Sequence, residues 1–272
     1  MKPAGQAAML KAYLGISGTI FRAQLGFRSR AIIAMINNFV LILVNVSVWN
    51  ALYGGRGAMA GVEFPAMVAN LVLGIGLSLA FSMDETFTSR RIRSGEISSD
   101  LLLPLRYGSM VFFRELGQTL YRLLIEYTPA LVLSLIFLPI QGPASALHLL
   151  GFIASLAFSY VLLFQISMVT AYISFWYFNI WSFSTFKNAL ILVFSGAYLP
   201  FWFLPDWLQS IVIFTPFPSL ISAPMTIYLG LFTTPEELAI MFGRQAAWVL
   251  LFILINRGLW HLGYKKLTIQ GA

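Results

Sequence analysis

Residues 90–106 read RRIRSGEISSDLLLPLR, a short charged connector between two long apolar stretches. Arg90, Arg91, Arg93 and Arg106 stand here with Glu96 and Asp100, in a chain of 272 residues that is only 10% charged and 59% apolar. Soluble domains carry about 25% charged residues. The apolar residues of this chain come instead in runs close to the roughly 20 needed to cross a bilayer. An all-α integral membrane protein is therefore expected, with residues 1–272 forming a single transmembrane domain. Cysteine is absent, so there is no disulfide or thiolate site and the redox compartment stays open. The N-terminus shows no short apolar run followed by a cleavage site, so no removed signal peptide is expected.

The runs fall near 32–53, 62–83, 108–138, 146–171, 186–205 and 240–260. A further run near 208–232 is broken by Pro216, Pro218 and Pro224, which leaves six or seven spans. Charge decides between them. Six transmembrane helices with both termini cytoplasmic leave only Arg56 and Arg244, of 17 Lys and Arg, on the outer side. That is the asymmetry of the positive-inside rule. A seventh span would export the C-terminal basic cluster. The expected location is the inner or plasma membrane, with anionic lipid as the partner of the +7 charge rather than nucleic acid. His148 and His261 fall at opposite faces, too few ligands for a metal.

Residues 8–30 mix apolar positions with Lys11, Arg22, Arg28 and Arg30, which suits an N-terminal interfacial helix leading into the first span. The third span is long, and its first half carries Arg114, Glu115, Arg122 and Glu126. Arg114, Gln118, Arg122 and Glu126 are spaced by four and share a helical face. Charge within a bilayer is costly unless paired or wetted, so a helix that starts in the cytoplasm and pairs Arg122 with Glu126 near the inner interface is expected. The set serves packing and anchoring, faces a partner or the translocation path, or relays protons.

The aromatic stretch YISFWYFNIW (172–181) reads as an anchor belt or as the lining of a path for a lipid-like substrate. In residues 195–224, Pro200, Pro205, Pro216, Pro218 and Pro224 forbid one continuous helix. Broken backbone at membrane depth must be shielded by protein or line a wet cavity. Residues 206–232 are accordingly expected to form a re-entrant or an interfacial segment, with Pro200, Pro205, Trp207, Pro216 and Phe217 as an outer gate.

The phosphate-binding pattern GxxxxGK[ST] is missing, as are HExxH and GxSxG, so the chain is not expected to be an enzyme. Within residues 84–106, DETFTSRRIRSGE suits a short surface helix that Gly95 ends. Ser98 or Ser99 is a plausible cap before Leu101, Leu102 and Leu103, and Pro104 breaks the chain before the third helix. The connector is thus a structured element suited to lipid contact or to docking a cytoplasmic partner.

IRSGEISSDLLLPLRY followed by FFRELGQTLYRLL resembles the permease subunits of the ABC-2 type export family at Ile92, Arg93, Gly95, Glu96, Leu102, Pro104, Leu105, Arg114 and Glu115. A second block is similar at Ser195, Gly196, Pro200, Pro205, Trp207, Leu208, Pro216, Phe217, Pro224 and Gly230. The resemblance implies a six-span half-transporter, paired as a homodimer or with a related permease. A separate cytoplasmic ABC ATPase would supply ATP and Mg, with no cofactor bound by this chain. It further implies that the connector is a cytoplasmic coupling helix. Arg91, Arg93 and Glu96 would make paired contacts with the ATPase, or Arg93 and Glu96, three apart, would pair with each other. Gly95 and Pro104 would shape the turn, and Leu101, Leu102 and Leu103 would give apolar grip. The rival readings are a secondary transporter coupled to an ion through Glu126 and a non-transporting membrane scaffold.

Overall fold

A computed structural model describes residues 6–232 and 234–267. Helix α1 (Gln6–Leu25) is followed, after a break at Gly26–Phe27, by α2 (Arg28–Tyr53). A small hairpin, β1 (Ala58–Met59) and β2 (Val62–Glu63), turns the chain into α3 (Phe64–Ala80). The connector follows as α4 (Glu85–Ser94) and α5 (Ile97–Leu101). The third apolar run comprises α6 (Tyr107–Tyr121), a π-helical turn (Arg122–Tyr127) and α7 (Thr128–Phe137). Then come α8 (Ala146–Tyr172), α9 (Trp181–Phe194), α10 (Asp206–Val212), α11 (Ser222–Leu229) and α12 (Pro235–Leu267).

Helix α3 is the centre of the bundle. Of the most apolar window of its run, 72% is buried, against 11–39% for the other four long apolar runs. A helix apolar on every side belongs inside. One face of α3 (Met67, Leu71, Ile75) packs against Ile42, Val46 and Trp49 of α2. The opposite face (Ala66, Ala69, Leu77) meets Phe152 and Leu162 of α8, and α11.

Among the described residues, five helical stretches are long and apolar enough to cross a membrane. They are Arg28–Tyr53, Phe64–Ser94 (interrupted at residues 81–84), Tyr107–Phe137, Ala146–Phe175 and Pro235–Leu267. The run expected at 186–205 differs: its helix α9 has 14 residues and stops at Phe194. The stop is held by tertiary contacts, the Ser195 and Gly196 carbonyls accepting from Ser222 and Asn70. Gly196 sits at φ +89, a backbone that side chains disfavour, and a Cβ there would come within 2.8 Å of the Ser222 Cβ.

Of the interfacial segment expected at 8–30, residues 8–25 belong to α1, whereas Arg28 and Arg30 begin α2; α1 is no loose arm. It lies along α6, with Tyr13 stacked on Phe113 at 5.2 Å and the Ser17 hydroxyl donating to the Phe113 carbonyl. Gly117 permits that approach, since a Cβ there would meet the Ser17 carbonyl oxygen at 2.5 Å. That neighbour is backbone and cannot rotate away. Gly117→Leu is expected to lift α1 off α6 at an overpacking cost of about 1–3 kcal/mol. Hydrogen exchange should then run about tenfold faster across residues 6–25, with α8 and α12 unchanged.

Candidate functional site: the connector and its supports

The connector folds as two short helices around a glycine turn. Asp84 caps α4, its carboxylate accepting from the Phe87 amide at 3.2 Å. Gly95 ends the helix at φ +76, where only glycine is unstrained. Ser98 and Ser99, expected to cap the next helix, lie inside α5 instead, and the cap position belongs to Glu96, whose side chain makes no capping bond. Past α5 the chain is irregular through Pro104 until α6 begins at Tyr107.

Reversal at Gly95 brings Arg91 against both acids of the connector. Its guanidinium bridges Glu96 at 2.8 Å and takes both Asp100 oxygens, one at 2.6 Å and the other in a closer contact. Bidentate pairs of this type fix geometry as well as add energy. Ile92 and Ile97 are buried beneath, against Tyr107, Val111 and Met168. Arg93 donates to the Phe178 carbonyl at 3.0 Å and lies over the Phe178 ring. Arg91 and Glu96 are therefore engaged with each other, and Arg93 with the 172–181 aromatic stretch. Leu101 turns partly inward, whereas Leu102 is 87% exposed and Leu103 is 47% exposed.

The third-run charges gather at the base of this element. Arg114 pairs with Glu115 and with Asp84, the latter at 3.2 Å, and stacks over the Phe87 ring at 3.8 Å. Glu115 is buried and accepts from the Asp84 amide at 3.2 Å. Arg122 donates to the Ser82 carbonyl and, at 2.9 Å, to Gln118. The expected Arg122–Glu126 pair does not form. A π-helical turn covers 122–127, just ahead of Pro129, whose ring nitrogen has no hydrogen to donate. The wider turn carries position 126 off the four-residue spacing, and Arg122 satisfies the unpaired carbonyl at Ser82 instead.

Sequence reading missed Lys187. It is buried in α9 and pairs with Glu85, the first residue of α4, while donating to Ser167 of α8 at 3.1 Å. Ser184 donates to the other Glu85 oxygen at 2.7 Å. Elements α4, α8 and α9 thus meet on one ion pair. The available signal was a lone lysine in an apolar run, although its partner lies 102 residues away.

Opposite the connector, residues 195–230 leave α9, turn through α10 and come back. The Ser222 amide donates to the Ser195 carbonyl at 2.8 Å, and Asn70 of α3 donates to the Gly196 carbonyl at 3.0 Å. Gln245 of α12, fully buried, donates to the Ser219 carbonyl at 2.9 Å and to Ser159 at 3.1 Å. Broken backbone is thereby satisfied by protein groups. Asn70 was visible as a lone amide in an apolar run, whereas Gln245 stands beside Arg244.

Of the gate candidates, Pro200 precedes a short turn at 201–203, and Pro205 starts α10, its carbonyl accepting from Leu208 and Gln209. Pro216 leads a second turn in which Phe217 meets the Phe194 ring at 6.3 Å. Trp207 points outward and is 66% exposed. An open cavity of about 560 Å³ lies beside this segment, lined by Trp202, Ile213, Thr226, Met241 and Arg244. Gly196→Ala is expected to destabilise the chain by about 1–3 kcal/mol, through its positive φ and the Ser222 contact. Thermal unfolding in mild detergent checks it.

No group of three or more His, Cys, Asp and Glu able to hold a metal occurs among the described residues. No curated protein and no solved structure matches the chain significantly. A family model described as ABC-2 family transporter protein matches residues 39–271, which include the connector, all the long apolar runs but the start of the first, and the 195–230 segment. Members of that family are membrane transport components and not themselves catalytic. The chain is accordingly a multi-pass membrane protein that belongs to the ABC-2 transporter family, as a permease.

Proposed function

We propose that this permease is the transmembrane half of an ATP-driven exporter whose separate cytoplasmic ATPase, carrying ATP and Mg, docks on residues 90–106. The observation that carries this is the connector itself. It is rigidified by Arg91, rooted through Ile92 and Ile97, and presents Leu102 at 87% exposure on an internal connector rich in arginine. An exposed leucine on a braced, charged element suits a groove in a protein partner better than it suits water. Arg114, Glu115, Arg122 and Lys187 support the element from behind, so a push on it reaches α3, α6 and α9 together.

In this reading α9 and the irregular residues after it make the sixth crossing, both termini are cytoplasmic, and residues 206–232 re-enter from the outer side as a plug or gate. Helix α3 fills the centre of the chain, so the path runs along the outside of the bundle and needs a second permease, identical or related, to close it. The test is purification with native partners in mild detergent, followed by flux measurement in vesicles. A co-eluting ATPase and ATP-dependent flux support the reading. Their absence after crosslinking in intact membranes sinks it.

A further inference from the structure

We propose that a cavity at the connector end of α6, α8 and α12 binds an anionic phospholipid of the inner leaflet. The cavity has a volume of about 650 Å³ and is partly open to the surroundings of the bundle. Its walls are apolar and aromatic: Phe112, Phe164, Met168, Tyr172 and Trp260 line it. Tyr107 stacks on Trp260 at 5.3 Å, which fixes one wall. The Asn256 side-chain nitrogen, also in the lining, donates to the Gln165 carbonyl at 2.8 Å and to its side-chain oxygen at 2.7 Å.

Charge selects the occupant. Arg106 and Arg257 both line the cavity, and no acidic residue does. Neither arginine belongs to any ion pair among the described residues. Two cations in the walls of an aromatic slot match an anionic headgroup together with its apolar chains, and a soluble anion would leave the apolar walls unused. The inner leaflet is where anionic lipids are concentrated, each nearby Lys or Arg contributing about 1 kcal/mol to their attraction. This placement rests on the inward orientation of the basic face proposed above. Leu101 and Leu105 also line the cavity, so a seated lipid touches the far end of the connector and bears on its position.

The full chain, purified in mild detergent with whatever partners accompany it, is mixed with phosphatidylglycerol or with phosphatidylcholine, and retained lipid is counted by native mass spectrometry. Wild type is expected to hold one phosphatidylglycerol at an occupancy at least tenfold above phosphatidylcholine. Arg106→Gln with Arg257→Gln should lower that occupancy about tenfold. Gly108→Leu should lower it as well with both charges kept, because a Cβ there meets only the Tyr172 hydroxyl, at 3.9 Å, and the added side chain fills the cavity. It decides the matter even where the arginine variant fails to fold. Unchanged retention in Gly108→Leu overturns the site, and so does equal retention of phosphatidylcholine by wild type. Displacement of the lipid by millimolar glycerol phosphate overturns the lipid assignment. None of these outcomes depends on an ATPase, so a failure here is separate from a failure of the proposed function.

Discussion

Lys187→Met is expected to lower the melting temperature of the detergent-solubilised chain by on the order of 10 °C, the largest effect of any single substitution considered. The cause is the carboxylate left behind. Glu85 and Lys187 are both buried, and with the ammonium gone Glu85 keeps only the Ser184 hydroxyl. Removing one member of a buried pair costs about 3–5 kcal/mol, whereas replacing both by neutral groups of similar size is often close to neutral. Glu85→Gln combined with Lys187→Met should therefore recover most of the loss. A single variant that melts with wild type would show that the pair is wetted. Full recovery of stability without recovery of ATP-driven flux would assign the charge itself to transmission between α9 and the connector.

Leu102→Asp carries the second large expectation, and it is one of partnership rather than stability. The side chain is 87% exposed, so the chain alone should change by no more than about 0.5 kcal/mol. An apolar anchor in the middle of a docking surface contributes about 2 kcal/mol or more to binding. Loss of that amount weakens ATPase retention by roughly 30-fold. The readouts are ATPase co-purification and the melting temperature of the same preparation. Retention with unchanged melting would remove Leu102 from the interface. Glu96→Arg tests something else, because Glu96 is held by Arg91 and its reversal loosens the connector from within.

The membrane class and the long apolar runs were legible because hydropathy is a property of composition along the chain. So was the Gly95 turn, since glycine at a helix end has a local steric cause. The early end of α9 was not. Hydropathy counts apolar residues through 205 without registering that Ser195 and Gly196 give their carbonyls to Ser222 and Asn70, partners supplied by other segments. Spacing by four correctly grouped Gln118 with Arg122, but failed at Glu126 because a π-helical turn intervenes. Read straight, the chain gave no sign that Arg91 meets the acids of its own connector. Once Gly95 reverses it, Asp100, nine positions on, becomes the nearer acid.

The π-helical turn at 122–127 also sets the angular phase of everything beyond it. A residue advances an α-helix by about 100°, so one extra residue in the turn rotates α7 by that amount relative to α6. Before the turn, Arg114 and Glu115 address the Asp84 junction. At and after it, Tyr127 donates to the Val72 carbonyl at 3.0 Å, and Ala130 and Ser134 are wholly buried. The third apolar run is in effect two rods keyed to different neighbours. Deleting one residue between 122 and 127 would give a more regular helix, yet it could satisfy only one of the two keys, turning either the charged rod from the connector or the apolar rod from α3.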